Sequence, residues 1–491
     1  MNVFKRNLAV TTDSYKISHP QQFPLGTTRT SYYIESRGGE FDNVLVSGLH
    51  MTAKILEQGV NLADVERANL LYRAHFGKNI FNYEGWKELA MMEYLPINLF
   101  GIQEGEVVPV KTPVAVMEST GDRFGWVPGH LETFALRGVW YPSTVGTISH
   151  YGVKAIKEFM DKTSDLTGAD YDFVLKTRLH DFGARGVSSG ESAAIGGLAH
   201  LMNSIGTDTV EALILAQDLF DLAHDVAIGI SIPAREHSTT VSYGNNGLLT
   251  EAEEDAAFMN SIEEFGDGAY AVVMDSVDFQ RAVLRVCKTM KVKILLKGGK
   301  FIFRPDSGNM YDNVIFLLKT LYKEFGGTVN SKGYKVLHPS VGVIQGDGID
   351  GHKTIRSLLN WVETNKFATE NVAMGMGGGL LQLCDRDTMK WAMKMSAIEI
   401  NGKWSAVRKC PKGAEWKASK AGRLWVYKVG NDWDGWKFET VNNLQDELVF
   451  EVDADQEVVD MFVQYLDNGK CTQVLSATEL ECIRRRADGH K

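Results

Sequence analysis

"FIFRPDSGNMYDNVIFLLKTLYKEF", residues 301–325, decides how the chain is built. Residues 301–305 read as a short buried strand, and 312–325 carry apolar side chains at helical spacing. Between them stand Asp306, Ser307 and Gly308, residues poorly suited to a core. A strand that leads into a helix returns parallel to itself, because the crossover consumes the length of that helix. The same unit recurs outward in both directions. "VAIGISIP" (226–233) precedes a helix-like 250–265, "AYAVVM" (269–274) precedes 277–290, and "VGVIQ" (341–345) precedes 351–365. "NVAMG" (371–375) closes the series. Upstream, "FVLKTRLHDFG" (173–183) reads as a strand, with helices over "ESAAIGGLAHLMNSI" (191–205) and "TVEALILAQDLFDLAH" (209–224). The series is long and shows no switch point, so an irregular parallel α/β barrel is expected rather than an open sheet.

The chain has 491 residues, more than one ordinary core accommodates, which implies two domains. "GIQEGEVVPVKTPVAVMEST" (101–120) reads as strands punctuated by Gly and Pro, hence a β-rich element in the first 147 residues. Beyond residue 400, Trp404, Trp416, Trp425, Trp433 and Trp436 among Gly and Lys suggest shorter strands and loops. "SATELECIRRR" closes with a helix whose Ser476 and Glu479 have capping-box spacing and whose arginines read as a solvated face.

A net charge of −10 argues against a broad nucleic-acid surface and leaves room for a local cationic pocket. No apolar run approaches the ~20 residues of a spanning helix. "MNVFKRNLAVTTDSYK" lacks an apolar segment followed by a cleavage site. The five cysteines are odd in number and without C-x-x-C spacing, as suits reduced thiols. A cytoplasmic enzyme without membrane attachment is the expectation.

Each strand of the middle region ends in polar residues. His180, Asp181, Phe182 and Arg185 follow one, and Arg235, Glu236, His237 and Ser238 another. Asp275, Ser276 and Asp278 follow a third, Arg304 to Gly308 a fourth, and Gly346, Asp347 and Gly348 a fifth. In a parallel barrel all these ends open on one face, where active sites are built. Singly, Asp and Ser after strands cap helices. The last strand delivers Gly375 and Gly377 to Gly379. Such a run makes either a tight corner or a bed of amides for phosphate. Arg185, Arg304, Arg386, Lys394 and Lys409 favour phosphate, and Asp306 and Asp347 suit sugar hydroxyls or Mg²⁺ held through water. His237 serves either packing or phosphate chemistry.

These segments resemble the nicotinate/nicotinamide phosphoribosyltransferase family. The matching stretches are "TDSYKISHPQQFP", "HDFGARGVSS", "GTDTV", "IPAREHST", "DSVD", "RPDSGN", "SKGYKVL", "VIQGDGID" and "GGGLLQ" with "DRD", from residue 12 to about 390, with "KASKAGRL" (417–424) extending the match. The resemblance implies a type II phosphoribosyltransferase-like barrel over 148–400. Beside it stands a β-rich domain of 1–147, with 401–491 packing back on it. It implies transfer of phosphoribosyl from 5-phosphoribosyl 1-pyrophosphate to nicotinamide, with Mg²⁺, in a homodimer with shared sites. The direct metal ligands are left unassigned.

By the same resemblance, Phe182 and the partner chain's Tyr15 would sandwich the pyridine ring. Asp208 would accept from the carboxamide, and Ser231, Ile232 and Arg304 would line that pocket. Asp306, Gly346 and Asp347 would hold the ribose, and Gly377 and Gly378 its 5-phosphate. Arg185, with Arg37, Arg386, Lys394 and Lys409 of the partner, would hold phosphates. His237 matches a histidine phosphorylated when ATP is consumed, and Asp278 joins His237, Arg304 and Asp306 in the expected catalytic set. Three positions depart from the pattern: Arg235 stands for a small residue, Met376 for serine and Val277 for an aromatic. A nicotinate enzyme of the same fold, or a binding protein that kept the pocket, would share these motifs.

Overall fold

The computed structural model describes residues 5–413, 418–431, 435–444, 456–473 and 475–489. Trp416, Trp433 and Lys417 lie outside the described residues. The chain forms two compact units. The first contains Met1–Thr147, Leu215–Ala223 and Cys384–Lys491, and the second contains Ile148–Ile214 and His224–Leu383.

The second unit holds the βα series. Its seven strands form one sheet in the order Gly206–Thr207, Leu179–Asp181, Val372–Met376, Val341–Gln345, Lys300–Arg304, Ala269–Val273 and Ala234–Arg235. Every neighbouring pair is parallel. The two edges are linked by one segment. Ile230 bridges to Gly206 in parallel, and four residues later Ala234 pairs with Ala271. This closes the barrel through an irregular stretch instead of a regular strand. The interior carries Ala271, Ile344 and Ala373, with Phe182, Ile232 and Ile302 packed against them.

Some elements differ from expectation. Phe173–Lys176 belongs to the helix Gly168–Lys176, not to a strand, and only Leu179–Asp181 pairs. Three apolar residues do not distinguish helix from strand. Here the Thr177 amide closes the helix on the Val174 carbonyl before the chain can extend. The stretch 226–233 is likewise not a strand, since it meets the sheet only at the Ile230 bridge and regular pairing begins at Ala234–Arg235. The expected helix over 277–290 is Phe279–Arg285, continued by the π-helical turn Val286–Met290 and then Lys291–Lys297.

The first unit is built on a seven-stranded sheet in which Trp391–Ile400 pairs antiparallel with Thr27–Ser36. Residues 391–400 therefore leave the barrel segment to which 148–400 assigned them. Arg29 and Glu399 form an ion pair on that seam, and Arg423 grips Glu118 through two bonds of 3.1 and 2.9 Å. Trp404, Trp425 and Trp436 lie on strands, as their surroundings suggested. The final helix Ala477–Ala487 is capped by Ser476, which accepts from the Glu479 amide. Arg486 is not on a solvated face: it donates to the Glu104 carbonyl at 2.6 Å and to Glu479 at 2.7 Å.

Candidate active site

The barrel strands deliver the expected polar residues to one rim. Phe182 follows Leu179–Asp181 and is held by its amide, which donates to the Met376 carbonyl at 3.0 Å. Its ring lies on Gly375. A Cβ there would fall 2.0 Å from Phe182 Cε2, so only glycine admits the ring. The Arg304 guanidinium stands over the same ring at 5.6 Å. Arg304 is fixed in turn by Asp306 Oδ1, which accepts from Nε and Nη2 at 3.1 and 2.7 Å. Gly346 is bare beneath it, since a Cβ would sit 3.0 Å from Arg304 Nε.

Beside this platform lie Asp208 and Ser231. The Ser231 hydroxyl donates to Asp208 Oδ1, and Ile232 packs in the same interior as Phe182. The Asp208 amide donates to the Asp181 carbonyl at 2.9 Å, which joins the two strand ends. Asp181 itself is fully buried. Its Oδ1 accepts from the Gly183 amide at 2.7 Å, while Oδ2 faces Thr209 Oγ1 without a well-formed hydrogen bond. Burial pushes this carboxyl up to about 6, opposed by the Gly183 amide and reinforced by the nearby Asp208 and Glu211.

The glycine run divides by role. Gly379 is bare for packing, because a Cβ would meet Asp350 Cα at 2.6 Å, and Gly375 is bare for Phe182. Only Gly377 and Gly378 face space, with nothing within 4 Å of a Cβ on Gly378. The expectation that the whole run receives phosphate thus narrows to these two. Arg185 lies in the exposed turn Ala184–Gly186, and a Cβ on Gly186 would lie 3.7 Å from the Gly378 amide nitrogen. Asp347 is exposed on the loop after Val341–Gln345, and its carbonyl accepts from buried Gln345 at 2.7 Å.

His237 is half-exposed at the rim. Its Nε2 hydrogen-bonds Asp275 Oδ1 at 2.9 Å, and its Nδ1 faces Asp306 Oδ2 at 3.9 Å. A carboxylate only accepts, so Nε2 carries the proton of the shorter contact. Ser307 donates to the other Asp275 oxygen. Asp275 was read from the sequence as one more strand-end acid, and its role was missed. The available signal was that it and His237 end neighbouring strands. Asp278 does not join this group. Its carboxylate accepts from the Arg281 amide at 2.9 Å and caps the helix Phe279–Arg285. Arg235 is also turned elsewhere, with its guanidinium hydrogen-bonded to Ser261, Asn260 and the Thr239 carbonyl.

The remaining expected residues belong to the first unit. Tyr15 is 59% exposed, with Lys16 Nζ 5.2 Å from its ring centre. Arg37 pairs with Glu35 at 3.0 Å, and Arg386 with Asp387 at 2.8 Å. Lys394 donates to the Met393 carbonyl. Burial holds Lys394 below the usual lysine range, as do the neighbouring Arg37, Lys16 and Arg386, against the pull of Glu132. Lys409 is exposed, and its amide donates to Ser419. All five residues expected from a partner chain lie in this unit, and all the others in the barrel.

A closed parallel barrel with an aromatic platform, a cation-rimmed glycine turn and strand-end carboxylates is the layout of a phosphoribosyl-transferring enzyme. The comparisons agree. The model of the nicotinate phosphoribosyltransferase (NAPRTase) family matches residues 177–468, and that of the nicotinamide phosphoribosyltransferase N-terminal domain matches 7–99. The chain belongs to the nicotinate phosphoribosyltransferase family. It is 41% identical to a nicotinamide phosphoribosyltransferase of Xanthomonas campestris over 98% of both chains, and 29% identical to one of Acinetobacter baylyi over 81% of this chain and 84% of that one. Its fold matches the nicotinate-nucleotide pyrophosphorylase of Pyrococcus furiosus, with a TM-score of 0.64 at 14% identity over 100% and 96% of the chains. It also matches human nicotinic acid phosphoribosyltransferase, with a TM-score of 0.63 at 15% identity over 97% and 93%.

Among the described residues, no helix is long and apolar enough to cross a membrane. Among the same residues, no group of three or more His, Cys, Asp and Glu is placed to hold a metal ion.

Proposed function

We infer that the protein transfers the phosphoribosyl group of 5-phosphoribosyl 1-pyrophosphate to nicotinamide, giving nicotinamide mononucleotide and pyrophosphate. This is a step of NAD salvage. The observation that carries this reading at the site is the Phe182 platform set beside an Asp208 whose Oδ1 is already occupied by Ser231. The free oxygen of Asp208 is left to accept a carboxamide N–H. Nicotinate would bring a second anion there, and like charges about 4 Å apart repel by roughly 4 kcal/mol at an effective dielectric near 20. That is close to a thousandfold in binding.

The nucleophile is the neutral pyridine nitrogen, from which no proton need be removed. The site therefore needs no general base. Its tasks are to orient the ring and to stabilise the leaving pyrophosphate. Phe182 with Arg304 would hold the ring. Asp306, Gly346 and Asp347 would take the ribose, and the amides of Gly377 and Gly378 with Arg185 its phosphate. Mg²⁺ travelling with the diphosphate would neutralise its departing charge. Exposed Asp347 and half-buried Asp306 offer hard oxygen donors that suit a hydrated Mg²⁺, not an all-protein cage. Tyr15, Arg37, Arg386, Lys394 and Lys409 would complete the site from a second copy of the chain in a cytoplasmic homodimer. His237 would take the γ-phosphoryl group of ATP. Nδ1 would attack phosphorus as the P–O bond to ADP breaks, with the Nε2 proton kept on the ring and donated to Asp275, until water takes the phosphoryl group as inorganic phosphate.

The test is to incubate the purified protein with Mg²⁺, phosphoribosyl pyrophosphate and either nicotinamide or nicotinate, and to measure each mononucleotide. Nicotinamide is expected to react and nicotinate to lag by orders of magnitude. Equal turnover would favour a nicotinate enzyme, and no turnover a binding protein.

A further inference from the structure

Arg235 is an oddity in a βα barrel. It is a permanently charged side chain at a strand end, yet it does not face the rim. Its Nε donates to Ser261 Oγ at 2.7 Å, Nη2 to Asn260 Oδ1 at 2.6 Å, and Nη1 to the Thr239 carbonyl at 2.7 Å. Its guanidinium also lies 5.6 Å from the Tyr243 ring centre. Ser261 and Asn260 belong to the helix Glu251–Phe265, and Ser261 is buried. Thr239 belongs to the short helix His237–Val241, and Tyr243 lies in the turn that follows it. No carboxylate pairs with Arg235 by ion pair or hydrogen bond in these contacts, so a planar fork of donors is spent on neutral acceptors.

The result is mechanical. One side chain spans from the helix Glu251–Phe265 to both ends of the segment 239–243, immediately after His237. Besides this fork, the segment is seated by fully buried Thr240 and by bonds of its own. The Glu236 carbonyl accepts from the hydroxyls of Thr239 and Thr240, and Ser238 donates to the Glu236 carboxylate, all within the turn itself. The His237 side chain meets Asp275 from this turn, and Asp275 is held by Ser307 on yet another strand end. Holding the imidazole within hydrogen-bond distance therefore requires that the turn not drift relative to the barrel.

We propose that Arg235 is a positioning residue for His237, clamping the 236–243 turn to the helix Glu251–Phe265 so that Nε2 rests on Asp275 and Nδ1 is presented to a phosphoryl donor. The proposal rests on the reading of His237 as phosphoryl acceptor, and it assigns Arg235 no contact with substrate. Lysine cannot reproduce it, since one ammonium does not reach three acceptors in a plane.

The experiment compares the full-length protein with Arg235→Ala and Arg235→Lys, with His237→Ala as the control for labelling. Three quantities are read: acid-labile phosphate incorporated from ATP, the KM for nicotinamide without ATP, and amide hydrogen exchange across residues 236–243. For Arg235→Ala we expect at least a tenfold loss of labelling rate, a nicotinamide KM within twofold of the parent, and faster exchange confined to 236–243. Arg235→Lys is expected to fall between. Labelling at the parental rate, or an equal loss of labelling and of nicotinamide affinity, overturns the proposal. If the parent itself is not labelled, the phosphoryl-acceptor reading of His237 fails. Exchange then decides whether the clamp exists, and unchanged exchange in 236–243 overturns it as well.

Discussion

Gly375 and Gly378 stand three residues apart and answer to different demands. An added methyl group on Gly375 collides with the Phe182 ring, whereas on Gly378 it meets nothing within 4 Å. Gly375→Ala is therefore expected to raise the KM for nicotinamide by at least about tenfold through a displaced platform, leaving that for phosphoribosyl pyrophosphate nearly unchanged. Gly378→Ala should fold normally and weaken the phosphoribosyl donor instead. Steady-state kinetics in both substrates separate the two. Asp208→Ser should narrow the preference for nicotinamide over nicotinate, and an unchanged ratio would remove Asp208 as the discriminator. Asp181 adds a pH dependence. Its carboxyl is raised from 3.8 to about 6 in the folded protein, so the native state binds the proton more tightly than the unfolded chain. The stabilisation is complete below the unfolded value and is lost as pH rises through about 6. A shift of roughly two units is worth about 3 kcal/mol. Measured by urea unfolding, Asp181→Asn should gain stability relative to the parent by up to about that amount between pH 4 and pH 7.

At the scale of elements, the helix Phe279–Arg285 gives one expected catalytic acid a capping role. Asp278 spends its carboxylate on the Arg281 amide. Asp278→Ala should cost about 1 kcal/mol of stability in chemical denaturation and leave kcat within twofold. The strand-to-helix units at 269–273, 300–304, 341–345 and 372–376 were legible because a run of three to five apolar residues followed by polar corners has few alternatives. Residues 226–235 were not legible as they are. Two residues and one bridge make the strand there, and that is decided by which edges must be joined, not by local pattern. The same holds at the site. Phe182, Asp208, Arg304 and the two open glycines stand out by residue type and place. The pairing of His237 with Asp275 depends on strand adjacency, which composition does not encode.

At the scale of the whole molecule, the residues divide cleanly. Phe182, Asp208 and the glycine turn belong to the barrel unit, and Tyr15, Arg37, Arg386, Lys394 and Lys409 to the other. If each site is shared between two copies, Phe182→Ala in one chain and Arg386→Ala in another damage opposite halves. Mixed and re-associated, these two poorly active variants should recover about a quarter of the parental activity, since half the dimers are mixed and each mixed dimer keeps one intact site. No recovery in a verified mixed dimer would place both residues in one chain's site. The most direct test of the central claim is the competition assay: equal nicotinamide and nicotinate, phosphoribosyl pyrophosphate and Mg²⁺, with both mononucleotides quantified at early time. Nicotinamide mononucleotide in large excess is the predicted result, and nicotinate mononucleotide at an equal or greater rate would contradict it.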